Sequence, residues 1–182
     1  MIYFFYINYY LIYVVNKRSK KIGTRVSLNV KQRKALLSKL SSIVEDVSLL
    51  VHKKASVEKL ILDEKRILYF SDGVAVAVQV GDIIVPFLKR LRNIKVICPF
   101  VIVDVGAIRF ITNGADVMRP GITKINGEFK EGDIVLVREE KAGSPLAFGV
   151  SMFSSEELIS IKKGKVIKNI HHLRDDFWDM AE

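Results

Sequence analysis

With one cysteine, Cys98, in 182 residues, the chain can form no internal disulfide and no cysteine-based zinc site, and it suits a reducing compartment. Histidine is nearly as scarce: His52, His171 and His172 are the whole supply, and no credible nucleophile–base triad can be assembled from them. His171 and His172 are neighbours, which on a strand point to opposite faces and make a shared metal ion awkward. Cys98 lies in the apolar run Ile94–Val103 beside Pro99, a setting in which a buried thiol is inert. There is no glycine-rich phosphate loop, and no carboxylate pair stands out as acid and base. These absences predict a protein that is not an enzyme and needs neither metal nor cofactor. Glutamine occurs only at Gln32 and Gln79 amid abundant Lys, Ile and Val, a balance compatible with a thermophile.

A membrane span is missing too. Met1–Val15 is almost wholly aromatic and aliphatic, but it contains Asn8 and falls short of the roughly 20 apolar residues that cross a bilayer. It also lacks the basic start and small-residue cleavage site of a secretory signal. If the segment did insert, the basic cluster Lys17–Lys21 would hold the rest of the chain in the cytoplasm. No methionine stands between Met1 and Met118, whereas Val26 and Leu28 could be read from non-AUG start codons. Residues 1–25 therefore read as an extension from an upstream start assignment, with a membrane-touching segment or a buried strand or helix as the alternatives.

What is present is enough apolar residue, 49% of the chain, for a packed core. The formal net charge of +9 is unevenly placed. Residues 1–100 hold 18 Lys/Arg and 7 Asp/Glu, a net of +11, while residues 101–182 hold 11 and 13, a net of −2. The basic half either attracts nucleic acid without reading its sequence or presents a solvated lysine surface.

Leu36, Leu37, Leu40, Ile43, Val44 and Val47 recur at helical spacing with Lys31, Arg33, Lys34 and Lys39 opposite, which predicts an amphipathic helix from about Lys31 to Asp46. Val57–Leu62, Ile67–Phe70 and Val74–Val80, separated by turn residues, predict an antiparallel meander. Pro86 is expected to open a second helix, Phe87 to about Arg92, and Ile94–Val103 to form a strand broken locally at Pro99. Beyond it, a helix over Ala107–Asn113 and strands at Asp116–Met118, Ile134–Arg138, Leu146–Phe153 and Lys165–Leu173 are predicted. The capping-box spacing Ser154-x-x-Glu157 starts a short helix to about Ile161 that Gly164 stops. The fold class is α+β: a small α/β domain over residues 26–98, then a closed or nearly closed β-barrel with short helices over residues 99–182.

The run Val105–Ile122 is the most informative stretch: a short helix halts at Asn113-Gly114, and a strand-like Asp116-Val117-Met118 ends at the forced turn Arg119-Pro120-Gly121. Together with Gly106-Ala107-Ile108, Gly132-Asp133-x-Val135 and Ala147-x-Gly149, it resembles the PUA domain, an RNA-binding β-barrel. The tail Asn169-Ile170-His171-His172-Leu173-Arg174-Asp175-Asp176-Phe177-Trp178 is similar to that of the malignant-T-cell-amplified-sequence family, its archaeal relatives and ligatin-like translation factors, whose PUA domain follows a small pre-PUA domain. The resemblance extends from roughly Val30 to Met180.

That resemblance implies a cytoplasmic, non-enzymatic protein of translation that binds tRNA or small-subunit rRNA at the small ribosomal subunit, beside an initiation-factor-like partner of the density-regulated-protein type. An accessory subunit that targets tRNA or rRNA modification is the alternative, and a membrane role is disfavoured. Carried over by position, RNA contacts fall on Arg109, Asn113, Gly114, Ala115, Asp116, Met118, Arg119 and Gly121. The two glycines would let RNA backbone approach or simply serve turn geometry, and Arg119 would fork onto a phosphate or stand solvated. On the closing strand, Lys165, Lys168, His171 and His172 are candidates for a single-stranded end. Strand alternation allows at most one of the two histidines to meet RNA, and the Asn-Ile-His run would alternatively lock Trp178 in place.

Overall fold

The computed structural model describes residues 23–181, so all but the last few residues of the N-terminal extension lie outside the described residues. Its start is a five-stranded antiparallel sheet in chain order: β1 (Thr24–Ser27), β2 (Val57–Ile61), β3 (Arg66–Ser71), β4 (Val74–Val80) and β5 (Ile83–Pro86). Helix α1 (Val30–Ser41) crosses from β1 to β2. Asn29 caps it, its side chain accepting from the Gln32 N–H at 2.9 Å while the Gln32 side chain accepts from the Asn29 N–H at 3.1 Å. Leu36 and Leu40 carry its buried face onto the sheet.

The helix is shorter than its apolar periodicity predicts. Ser41 and Ser42 turn their hydroxyls back onto the carbonyls of Ser38 and Lys39, at 2.9 and 2.7 Å, which competes with continuation of the helix. Ile43 and Val44 are buried but lie past the helix end, Ile43 in a turn with both N–H groups returning to the Leu40 carbonyl at 3.0 Å and Val44 bridging to Val96. Pro86 does not open a helix: it ends edge strand β5, where its missing N–H leaves no inner ladder bond unmade, and a 3-10 turn over Leu88–Asn93 follows. Of the apolar run Ile94–Val103 only Phe100–Val103 is a strand, β6.

The second sheet comprises β6, β7 (Val117–Met118), β8 (Ile122–Asn126), β9 (Ile134–Glu139), β10 (Pro145–Ser151) and β11 (Lys165–His172). Its strand order is β7-β11-β10-β9-β6-β8, with β6 parallel to β9 and the other pairs antiparallel. The two outermost strands, β7 and β8, are consecutive in the chain and joined by only Arg119–Gly121. That connection brings the edges together and curls the sheet into a barrel. Helices α2 (Val105–Ile111), α3 (Ser155–Ser160) and α4 (Asp176–Met180) complete it. Val101, Val103, Val135, Val137, Ile167 and Leu158 fill the interior without exposure. Strand β8 and helix α4 carry no strong sequence signal, and neither is anticipated.

The two sheets share a buried seam. Leu136 and Phe148 of the barrel, with Phe177 and Met180 of α4, join the apolar cluster of the first sheet. The Phe87 ring stacks on His171 (5.4 Å between centroids) and meets Trp178 at 5.3 Å. Arg66 reaches across to Asp176 at 3.1 Å.

Candidate functional site

Helix α2 begins at Asp104, whose carboxylate accepts the Ala107 N–H at 2.8 Å. It ends in a tight turn in which the Ala115 N–H returns to the Phe110 carbonyl at 3.0 Å. Gly114 makes that turn with φ +88°, and a side chain there would also press a Cβ to 3.1 Å from His172 Nε2. Gly121 has a packing reason as well: a Cβ would stand 3.1 Å from that of Ala107, so its absence lets α2 lie close to the β7–β8 turn.

Between α2, the glycine turn, β7 and the start of β11 lies an open, mainly apolar cleft of about 730 Å³. Six of the sequence-derived residues line it together: Gly114, Ala115, Asp116, Met118, Gly121 and Lys165. Met118 is 47% exposed and Phe110, which the sequence reading missed, is 62% exposed on the cleft wall. An aromatic one step before the buried Ile111 on an amphipathic helix was the available signal: 100° of helical rotation takes it off the core face. The Arg109 guanidinium lies 5.9 Å from the Phe110 ring.

The charge in the cleft is nearly balanced. Asp116 accepts from Lys165 Nζ at 3.2 Å through one oxygen and from the Asn169 N–H at 2.9 Å through the other. Asn169 then donates its amide to the carbonyls of Ile111 and Ala115, both at 3.0 Å. Asn169 thus ties the helix–turn unit to β11, a positioning role that the sequence reading did not assign to it. Arg109, Asn113 and Lys168 are exposed but stand outside the cleft lining.

Two expectations are corrected. His171 is fully buried in the seam, not open to RNA. Its Nε2 accepts the Leu88 N–H at 3.1 Å, so the hydrogen-bond network assigns the proton to Nδ1, which donates to Asp175 at 2.6 Å. His172, on the other face, is the half-buried neighbour of Gly114, and its Nδ1 donates to the Leu173 carbonyl at 3.0 Å. Arg119 is not a free phosphate fork: Nε donates to the Leu158 carbonyl at 2.6 Å and Nη1 to that of Ile122 at 3.1 Å. It braces the barrel-closing turn against α3. Part of the basic helix face is also structural, since Arg33 donates to the carbonyls of His52, Lys53 and Ala55 and gathers that loop.

Among the described residues no three His, Cys, Asp or Glu side chains form a metal-holding group, and no helix is long and apolar enough to cross a membrane. Burial pushes the Cys98 thiol up to about 11, the opposite of what a nucleophile needs.

A barrel closed by a three-residue turn, with a helix–glycine–strand cleft on its side, defines a PUA domain, and the PUA-domain family model matches residues 99–173. The likeness continues through the first sheet. An uncharacterized protein of Methanocaldococcus jannaschii is 35% identical over 159 residues, covering 87% of this chain and 98% of its own. Translation machinery-associated protein 20 of Saccharomyces cerevisiae is 36% identical over 155 residues, covering 81% and 86%, and human malignant T-cell-amplified sequence 2 is 37% identical over 98, covering 52% and 54%. The crystal structure of a hypothetical protein from Pyrococcus horikoshii superposes with a TM-score of 0.74 at 32% identity, over 87% of this chain and 99% of that one. The chain belongs to the PUA-domain family that contains translation machinery-associated protein 20 and the malignant T-cell-amplified sequence proteins.

Proposed function

We propose that this protein acts in translation by binding RNA, with tRNA or small-subunit rRNA as its target, and without catalysing a reaction. The observation that carries this reading is the cleft beside α2: an exposed aromatic ring and thioether over an apolar floor, with Lys165 at one edge. Unpaired bases are held in this way, by stacking on a flat ring with a cation near the backbone. Gly114, Ala115, Met118 and Gly121 form the floor and turns against which the strand lies. Asp116 sets Lys165 in place, and Arg109, Asn113 and Lys168 receive flanking phosphate or sugar oxygens. The related names in translation support the setting. The reading includes a cytoplasmic protein divided at residues 98/99, working on the small ribosomal subunit beside an initiation-factor-like partner.

Titration of tRNA with and without its 3′-terminal nucleotides tests this. Binding to intact tRNA that weakens on 3′ trimming, and in Phe110→Ala, is the expected result. No affinity for tRNA or small-subunit rRNA at low salt would sink it.

A further inference from the structure

Two asparagines, Asn113 and Asn126, are followed by glycine, the neighbour that leaves an asparagine side chain most open to its own backbone because it carries no Cβ. Both pairs are exposed, and among the described residues neither side-chain amide has a hydrogen-bond partner. The other side chains of this type are spent or differently placed: Asn29 caps α1, Asn169 ties β11 to the helix–turn unit, and Asn93 precedes the branched Ile94. What separates the two Asn-Gly pairs is the glycine nitrogen. The Gly114 N–H donates to the Ile111 carbonyl at 3.0 Å, inside the tight turn that ends α2. The Gly127 N–H has no partner among the described residues. Strand β8 ends at Asn126, paired with Phe100, and Gly127 then leaves the ladder with φ +83° against Pro99, 3.3 Å from where its Cβ would stand. The Pro99 carbonyl is already taken by the Leu136 N–H at 3.0 Å, so the ladder offers Gly127 nothing to bond.

We propose that Asn126 is a site of spontaneous modification, converting to aspartate and isoaspartate without an enzyme, while the fold holds Asn113 in its amide form. The Gly127 nitrogen, on losing its proton, attacks Asn126 Cγ; the new N–C bond forms as the side-chain nitrogen leaves as ammonia. Water then opens the five-membered succinimide. Addition at the side-chain carbonyl gives aspartate, and addition at the main-chain carbonyl gives isoaspartate. At Gly114 a hydrogen bond of ordinary net worth must break first, a difference of roughly tenfold in rate. The product sets a carboxylate beside Glu128. Its isoaspartate form carries the main chain through Cβ where β8 meets Phe100, a residue packed against the apolar cluster of the first sheet. The chain thus acquires a one-way mark of age at the join between its two sheets, independent of any RNA.

The test ages the full chain in mildly alkaline buffer, folded and in urea, and follows both sites by peptide mass spectrometry against an unaged sample. Trypsin places them on separate peptides, since it cuts after Arg109, Lys124 and Lys130 but not at Arg119-Pro120. In the folded chain the Asn126 peptide should gain the acid and isoaspartyl forms roughly ten times faster than the Asn113 peptide. In urea the two should convert at comparable rates, which assigns the difference to the fold. Asn126→Gln, whose longer side chain does not close the five-membered ring, should remove most of the acidic species that aged folded protein shows on ion exchange. Equal conversion of both sites in the folded chain, none at Asn126, the same bias persisting in urea, or an undiminished acidic species in Asn126→Gln would each overturn the proposal.

Discussion

Replacing His171 by alanine removes both the acceptor for the Leu88 N–H and the donor to Asp175, inside a seam where the ring is fully buried between Phe87 and Phe177. Two orphaned polar groups and a cavity should cost roughly 2–4 kcal/mol. A urea titration should show a lower midpoint with an unchanged slope. Strand alternation reveals that one of the two adjacent histidines faces inward, but not which. The ladder to β10 pairs Phe148 with His171 and then Gly149 with Asn169, skipping Ile170. That bulge breaks the parity that would otherwise be carried up from the buried Val166, and the partner strand that forces it lies far off in sequence. Cys98 follows a simpler rule, since its apolar neighbours are its environment. Burial lifts its folded value from 9.0 to about 11, so above the unfolded value the unfolded chain loses a proton that the folded chain keeps. Stability is therefore intact below about pH 9 and falls as pH rises toward 11, by up to about 1.4 kcal/mol per unit. Melting of wild type and Cys98→Ala across this range should show wild type losing the larger increment, whereas parallel curves would refute it.

At the scale of elements, the landmarks that carry the family resemblance are places where a backbone has no alternative. Gly149 of the Ala147-x-Gly149 landmark is such a place: a Cβ there would lie 2.3 Å from Ile167 Cγ2 and 2.7 Å from the Lys168 carbonyl oxygen. Gly149→Ala must push β10 from β11 at the bulge, and a loss of about 2–4 kcal/mol in thermal or urea unfolding is expected. An unperturbed variant would mean that the sheet gives way at little cost. Elements with such local obligations, including the capping box at Ser154, were legible from the residues alone. Those that were not share a different origin. Strands β1, β5 and β8 are four or five residues long, and they are strands because a neighbour offers a ladder, not because of their own alternation. Helix α1 was misjudged in the other direction: Ile43 and Val44 keep the helical spacing of core residues, yet Ser41 and Ser42 divert the backbone before it reaches them. The candidate cleft was legible through its turns. Phe110 was not, because exposure of one ring depends on how α2 sits against the barrel.

Across the whole molecule, charge and apolar surface divide differently. The net charge separates the chain into a basic half and a slightly acidic one, but the core does not respect that line: Leu136, Phe148, Phe177 and Met180 pack into the cluster of the first sheet, and Arg66 pairs with Asp176 across the same seam. Neither sheet can lose its structure without exposing apolar surface of the other, so the two should unfold as one cooperative unit. Trp178 gives a direct probe, being the only tryptophan of the chain and lying between Phe87 on one side and the end of β11 on the other. Its fluorescence reports the seam, while far-ultraviolet circular dichroism reports both sheets. In a urea titration the two signals should trace one curve with a common midpoint. A fluorescence change that comes earlier would show the seam parting while the sheets persist. An RNA that binds the folded chain in the cleft beside α2 should stabilise it in proportion to its binding. Adding tRNA should therefore move both curves together to higher urea, and a shift in only one of the two curves would contradict a single cooperative unit.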